Sequence, residues 1–225
     1  SKCGIGVCVQ FDGQVGATNY EKGNQVGCEH DAKKTGDEKL LRYLWENAHH
    51  TPFEMAGLTI EVKAPIVTFR EWHRHRIPFG YNEMSARYVP LPNENYYPTV
   101  ERIVSGAKVA GKNRQAQGMA PLDEDEIDGW LRKLNLAYTL SEQVYQDGLA
   151  IGIPKELARL PVPVARYSRM RATSNLRGWL AFMKLRCAPN AQYEIRVYAD
   201  AVGQLIRGRF PRTHELWLES SMRVS

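Results

Sequence analysis

Ile127, Leu131, Leu134, Tyr138 and Tyr145 recur at intervals of three, four and seven residues, the spacing that lines apolar side chains along one face of an α-helix. The acidic run Asp123 to Asp128 opens this segment, which suits the positive end of a helix dipole. A different period precedes it. Leu58, Ile60 and Val62 alternate, which predicts a strand over 57–63. Beyond Pro65, Ile66, Phe69 and His73 return to helical spacing. A chain that must bury both a period-two face and long helical stripes is α+β, a twisted sheet flanked by long helices.

The remaining elements fit that class. Asp37 is positioned to cap a helix running through Ala48, with Leu40, Leu41, Leu44 and Trp45 as its apolar stripe. Val7, Val9 and Phe11 alternate as a short strand would. Pro154 opens a short helix holding Arg159, and Val164 to Arg171 reads as a strand. Thr173 to Cys187 and Ala191 to Phe210 read as helices separated at Pro189. Residues 101–122 carry Gly, Lys, Asn and Gln with few large apolar side chains, the composition of a loop or mobile insert. One domain is expected to span 1–225.

With 43% hydrophobic residues among 225, the chain can bury a core. No apolar run approaches the ~20 residues of a membrane span, and no secretory pattern opens the sequence, so a soluble cytoplasmic protein is expected. The net charge of +5 and a pI near 9.0 suit either nucleic acid or an anionic small ligand. The second is favoured, because the arginines cluster in short motifs beside Pro, Phe and Glu, with no long Lys/Arg run. Cys3, Cys8, Cys28 and Cys187 follow no zinc spacing; Cys3, Cys8 and Cys28 with His30 stand as the lesser alternative, and no metal is expected.

The densest chemistry lies in Arg74-His75-Arg76 and Asn82-Glu83-Met84-Ser85-Ala86-Arg87-Tyr88. Guanidinium forks grip phosphate, and a Glu and a Ser between them suit hydroxyls and a polar ring, so the stretch reads as a nucleotide site. No Ser-His-Asp arrangement surrounds Ser85, so its hydroxyl is read as ligand-binding. His73 and His75 would point apart on a helix, which counts against a metal pair.

Arg-His-Arg, a short spacer, then Ser-x-Arg-Tyr resembles the signature of the flavin-dependent thymidylate synthases. The resemblance extends to His50-Thr51-Pro52-Phe53-Glu54, with His49 or His50 as its histidine, to Lys63-Ala64-Pro65-Ile66 and Trp72, and to Asn175-Leu176-Arg177, Leu185-Arg186 and Ala191 to Arg196. It covers roughly 37–210. It implies C5 methylation of a uridylate nucleotide with FAD, methylene-tetrahydrofolate and NADPH, in a homotetramer with shared sites. It assigns FAD contacts to Thr51, Arg74, His75, Arg76, Glu83, Asn175 and Arg177. Arg74, Glu83, Ser85, Ala86 and Arg87 would bind the nucleotide, with Arg159 on its phosphate. Arg186 would face the uracil and favour negative charge on the ring, making it the catalytic residue; the plainer alternative is an ion pair with Glu194. No cysteine is catalytic in this family.

Three departures bear on substrate. Eight residues, Ile77 to Met84, separate Arg76 from Ser85, one more than in most members. Glu71 replaces the usual glutamine, and Ala181 stands where Asn or His is usual near the flavin. Ala181 offers space and Glu71 an acceptor for a ribose 2′-hydroxyl, as in the branch that methylates UMP in nucleoside-antibiotic biosynthesis. Both dUMP and UMP are kept. A dUMP-only thymidylate synthase and a non-catalytic RNA- or nucleotide-binding module are the rival readings.

Overall fold

The computed structural model describes residues 6–8, 10–11, 15–16, 35–109 and 122–222. In chain order the elements are β1 (Gly6–Cys8), β2 (Gln10–Phe11), β3 (Val15–Gly16), α1 (Thr35–Glu46), α2 (Thr51–Glu54), β4 (Gly57–Pro65), α3 (Ile66–Trp72) and β5 (Gly80–Glu83). They continue with α4 (Val100–Val109), α5 (Glu124–Ala150), α6 (Lys155–Ala158), β6 (Tyr167–Asn175), α7 (Leu176–Arg186), α8 (Tyr193–Arg209) and α9 (Pro211–Met222). Contacts gather in two compact units. One lies within Ser1–Ala64, Thr68–Glu83 and Arg169–Ser225, the other within Pro65–Val67 and Met84–Ser168.

The first unit holds the sheet, in the order β1-β4-β6-β5. β5 runs antiparallel to β6, from Gly80 opposite Thr173 to Glu83 opposite Met170. β4 also runs antiparallel to β6: Leu176 N donates to Ala56 O, and Thr59 and Thr173 hydroxyls meet at 2.8 Å. β1 adds a parallel edge, Gly6 opposite Thr59, and β2 and β3 pair separately. The alternation of β4 buries Leu58, Ile60, Val62 and Ala64, and that of β6 buries Met170, Ala172 and Ser174. Against this face pack Trp179, Phe182 and Met183 of α7 and Ile195, Ala199, Val202 and Ile206 of α8. Trp179 Nε1 donates to Leu58 O at 2.9 Å, tying helix to strand. Burying each large apolar side chain of this set contributes about 1.5–3 kcal/mol relative to exposure.

Several boundaries differ from the sequence expectation. The strand expected at 164–171 is β6, Tyr167–Asn175, and the helix expected from Thr173 begins at Leu176. Sheet pairing holds Thr173 in period two, and Asn175 then caps α7 by accepting from Gly178 N at 2.9 Å. Helix α1 begins at Thr35 and ends at Glu46 rather than running to Ala48. Ala48 adopts φ 55°, His49 N bonds Leu44 O and Ala48 N bonds Trp45 O, a Schellman closure on alanine. Val7 falls on β1 and Phe11 on β2, two separate strands; Val9, Asn19-Tyr20, Cys3, Cys28 and His30 lie outside the described residues.

In the second unit, α5 buries Ile127, Tyr138, Tyr145 and Gly148 along the expected stripe. The loop expected over 101–122 is helical as far as Val109, and 110–121 lie outside the described residues. Val100, Ile103 and Val104 stand at helical spacing at the start of α4, where Thr99 Oγ1 accepts from Arg102 N. Arg166 is fully buried. It donates to Asn95 Oδ1 at 3.1 Å, Pro92 O at 3.0 Å and Glu142 Oε2 at 2.6 Å, so its charge is paired and each of its three nitrogens has a partner.

Among the described residues no helix is long and apolar enough to cross a membrane. Nor do three or more His, Cys, Asp or Glu side chains gather to hold a metal ion.

Candidate functional site

The Arg-His-Arg stretch begins where α3 stops. A helix ending leaves its last carbonyls without intrahelical donors, and here side chains join the His75 N–H, which donates to Trp72 O at 2.9 Å, in supplying them. The Tyr81 hydroxyl, on β5, donates to Trp72 O at 2.8 Å or His75 O at 2.7 Å. Arg186, at the end of α7, donates from Nη2 to Glu71 O at 3.1 Å. Trp72 is fully buried and stacks on Phe182 of α7, ring centroids 4.5 Å apart. Core packing therefore registers the end of α3 against the last turns of α7.

That registration places Arg186 beside Glu71 and His75. Arg186 Nη1 donates to Glu71 Oε2 at 2.6 Å, and Nε donates to His75 Nε2 at 2.8 Å. Three of the five N–H groups a guanidinium carries are thus committed, and two remain. The Arg186 side chain keeps 18% of its exposure, enough to meet a ligand from one side. The partner is Glu71 rather than Glu194, the alternative weighed on sequence spacing.

His75 must present a bare Nε2 to accept from Arg186, so its ring proton sits on Nδ1. Burial first, then the Arg186 charge, push its pKa down to about 4, with Glu71 pulling the other way. The ring meets Phe182 edge-on at 4.8 Å. His73 instead meets Tyr81 edge-on at 5.0 Å, so the two histidines serve different neighbours and do not converge as a metal pair.

Arg74 and Arg76 flank this half-buried histidine, are exposed, and have no carboxylate partner among the described residues. Thr51 is exposed at the first position of α2, whose Glu54 pairs with Arg177 in the first turn of α7. Asn175 spends its Oδ1 on capping α7. Ala181 is exposed one turn beyond Arg177. Glu83 is partly buried at the end of β5. Gly178 allows Pro78 and Ser174 to approach α7 closely, which fixes the loop just after Arg76.

Ser85, Ala86, Arg87 and Arg159 belong to the second unit. Tyr88 N and Val89 N donate to Ser85 O, while Ser85 Oγ accepts from Arg87 N at 3.4 Å, so the stretch is a tight turn. Ala86 is buried beneath it. Arg87 pairs with Glu156 at 3.3 Å, and Lys155 Nζ donates to Tyr88 O at 3.0 Å, which docks the turn on α6. Arg159 is the C-cap of α6, exposed and without a carboxylate partner among the described residues. Sequence reading overlooked Tyr81, Phe182, Lys155 and Glu156; the first two look like ordinary core aromatics, and nothing in spacing pairs the last two with the Ser85 turn.

Comparisons with known proteins identify the family. The family model described as thymidylate synthase complementing protein matches residues 10–212. A flavin-dependent thymidylate synthase of Thermotoga neapolitana is 34% identical over 183 residues, 81% of this chain and 76% of that protein. One of Kosmotoga olearia is 37% identical over 183 residues, with the same coverage of each. The crystal structure of the UMP/dUMP methylase PolB from Streptomyces cacaoi bound with 5-Br dUMP superposes with a TM-score of 0.73 at 32% identity, covering 84% of this chain and 82% of that one. Its complex with 5-Br UMP gives 0.72. The α+β fold with its antiparallel strands, the Arg-His-Arg stretch and these matches together show that the chain belongs to the thymidylate synthase complementing protein family, the flavin-dependent thymidylate synthases.

Proposed function

We propose that this protein methylates C5 of a uridylate nucleotide, dUMP or UMP, taking the one-carbon unit from methylene-tetrahydrofolate and two electrons from NADPH. C5 gains a methyl group and loses its proton; tetrahydrofolate and NADP+ are left. The observation that carries the reading is Arg186, held half-buried by Glu71 and His75 with two N–H groups uncommitted. Donors fixed before charge develops stabilise it most, because they need no reorganisation. Facing the uracil carbonyl edge, Arg186 favours negative charge on the ring and so enriches C5.

The donor set of the first unit fits FAD. Arg74 and Arg76 are exposed cations free of carboxylates among the described residues, matched to a pyrophosphate, and Thr51, His75, Glu83, Asn175 and Arg177 add polar contacts. Held by these residues, FAD would supply the hydride chemistry that links NADPH to the one-carbon unit. Ser85 through its hydroxyl, Ala86 and Arg87 bind the nucleotide, as the family resemblance implies, with Arg159 on its phosphate. For Arg87 this means exchanging Glu156, an exposed partner that holds it weakly. The active form is a cytoplasmic homotetramer with shared sites, a state that light scattering measures. PolB is described with analogues of both nucleotides, which favours keeping UMP beside dUMP here.

The test offers dUMP and UMP separately to the FAD-loaded protein with methylene-tetrahydrofolate and NADPH. A C5-methylated product is expected. Arg186→Ala should retain flavin absorbance and NADPH-driven flavin reduction while losing about two to three orders of magnitude in turnover. Lysine keeps the charge but not the planar fork, so Arg186→Lys should recover only part. Absence of product from both nucleotides overturns the reading; product from dUMP alone reduces it to an ordinary thymidylate synthase.

A further inference from the structure

We infer that Glu71 is a positioning residue that acts through Arg186, fixing the guanidinium before the nucleotide arrives. The inference rests on the uridylate-methylating reading above. Glu71 grips the same guanidinium twice, through Oε2 at 2.6 Å and through its own backbone carbonyl at 3.1 Å. The carbonyl is one that the end of α3 leaves free, so the second contact is set by the backbone and survives side-chain motion. Trp72, the next residue, is stacked on Phe182, so the elements that carry Glu71 and Arg186 are locked by shared core packing. His75 closes the third side at Nε.

The charge balance supports the same role. A half-buried guanidinium without a counter-charge carries a desolvation penalty and swings toward solvent. The Glu71 carboxylate offsets that penalty, and one direction of approach is left for a ligand. A fork held this way loses little rotamer freedom on binding, which is the physical content of preorganisation.

A competing role for Glu71 is direct. Its Oε1 has no hydrogen-bond partner among the described residues and can accept a ribose hydroxyl. The two roles separate by nucleotide. A positioning residue affects dUMP and UMP equally and acts on kcat, because the ring is the same in both. A 2′-hydroxyl acceptor affects UMP alone and acts mainly on KM.

The experiment compares wild type, Glu71→Ala, Glu71→Gln, Arg186→Ala and the Glu71→Ala/Arg186→Ala double variant, each FAD-loaded, with flavin occupancy and thermal midpoint recorded as checks on folding. Misplacing a reacting group by about 1 Å costs up to about a hundredfold. Glu71→Ala should therefore lower kcat about tenfold to a hundredfold with both nucleotides, leaving nucleotide KM and flavin occupancy unchanged. Glu71→Gln, which keeps an oxygen acceptor, should fall between it and wild type. In the Arg186→Ala background, Glu71→Ala should add nothing, since its effect runs through the missing side chain. Loss confined to UMP, unchanged kcat, or a loss additive with Arg186→Ala overturns the inference. If wild type makes no methylated product, the functional reading has failed, and the side-chain Nε–H resonance of Arg186 decides the positioning claim. Glu71→Ala should shift or broaden that resonance; an unmoved resonance overturns the claim.

Discussion

Arg186 donates from Nε to Nε2 of His75 over 2.8 Å, a bond that exists only while the imidazole is neutral. Burial and the adjacent guanidinium hold the His75 pKa down to about 4, against 6.5 for the ordinary side chain. Between these values the unfolded chain binds a proton that the folded chain refuses, so stability rises with pH across the window and falls on acidification. The denaturant midpoint should drop from about pH 7 to about pH 5, and His75→Gln should flatten the slope. His214, lowered by burial first and then Arg207, adds a slope of the same sign in both proteins. Equal slopes for wild type and His75→Gln would show that the bond does not hold in solution.

Arg166 has no exposure, and Glu142 supplies the only carboxylate among its described partners. Removing one member of such a pair strands a buried charge and costs about 3–5 kcal/mol. Glu142→Ala should destabilise the protein by that amount, whereas Arg166→Met with Glu142→Leu should cost less, because no charge is left unpaired. Chemical denaturation of the three proteins checks this. A double variant less stable than Glu142→Ala would contradict it.

A Cβ at Gly178 would lie 2.7 Å from Pro78 Cδ and 2.8 Å from Pro78 Cγ and would collide with Ser174 Oγ. Overpacking of this kind costs about 1–3 kcal/mol. Pro78 follows Arg76 by two residues, so the displaced loop carries the Arg-His-Arg stretch with it. Gly178→Ala should lower the melting temperature and also reduce flavin occupancy of the purified protein. Full occupancy at wild-type stability would mean that α7 and the loop are further apart.

Ala48 ends α1 in the left-handed region, φ 55°, where a Cβ is unfavourable and glycine is at ease. Ala48→Gly should relieve that strain at some entropic cost in the unfolded chain, for a net gain of about 0.5–1 kcal/mol. A thermal melt reads it directly, and a loss of stability would show that the helix closes differently.

Much of the fold was legible because local patterns agreed with tertiary packing. Leu58, Ile60 and Val62 became the buried face of β4, and the Ile127–Tyr145 stripe became the inner face of α5. Elements failed where a neighbour overrode local preference. Thr173 reads as a helix start but pairs with Gly80 in the sheet. Residues 101–109 read as part of a loop, yet Val100, Ile103 and Val104 stand at helical spacing and Thr99 caps the segment, which forms a helix.

The sequence by itself determined the residue types and their order: an Arg-His-Arg stretch, a downstream Ser-x-Arg, a late Leu-Arg. Those types fix the chemistry on offer, because a guanidinium's donors and charge are properties of the side chain alone. Only the tertiary structure decided who partners whom. Glu71 and Arg186 are 115 residues apart in the chain, and no periodicity relates them. Trp72 on Phe182 sets their register, and that stacking depends on a core assembled from both halves of the sequence. Spacing offered Glu194 as the counter-charge of Arg186; packing supplied Glu71, because an ion pair follows distance in space.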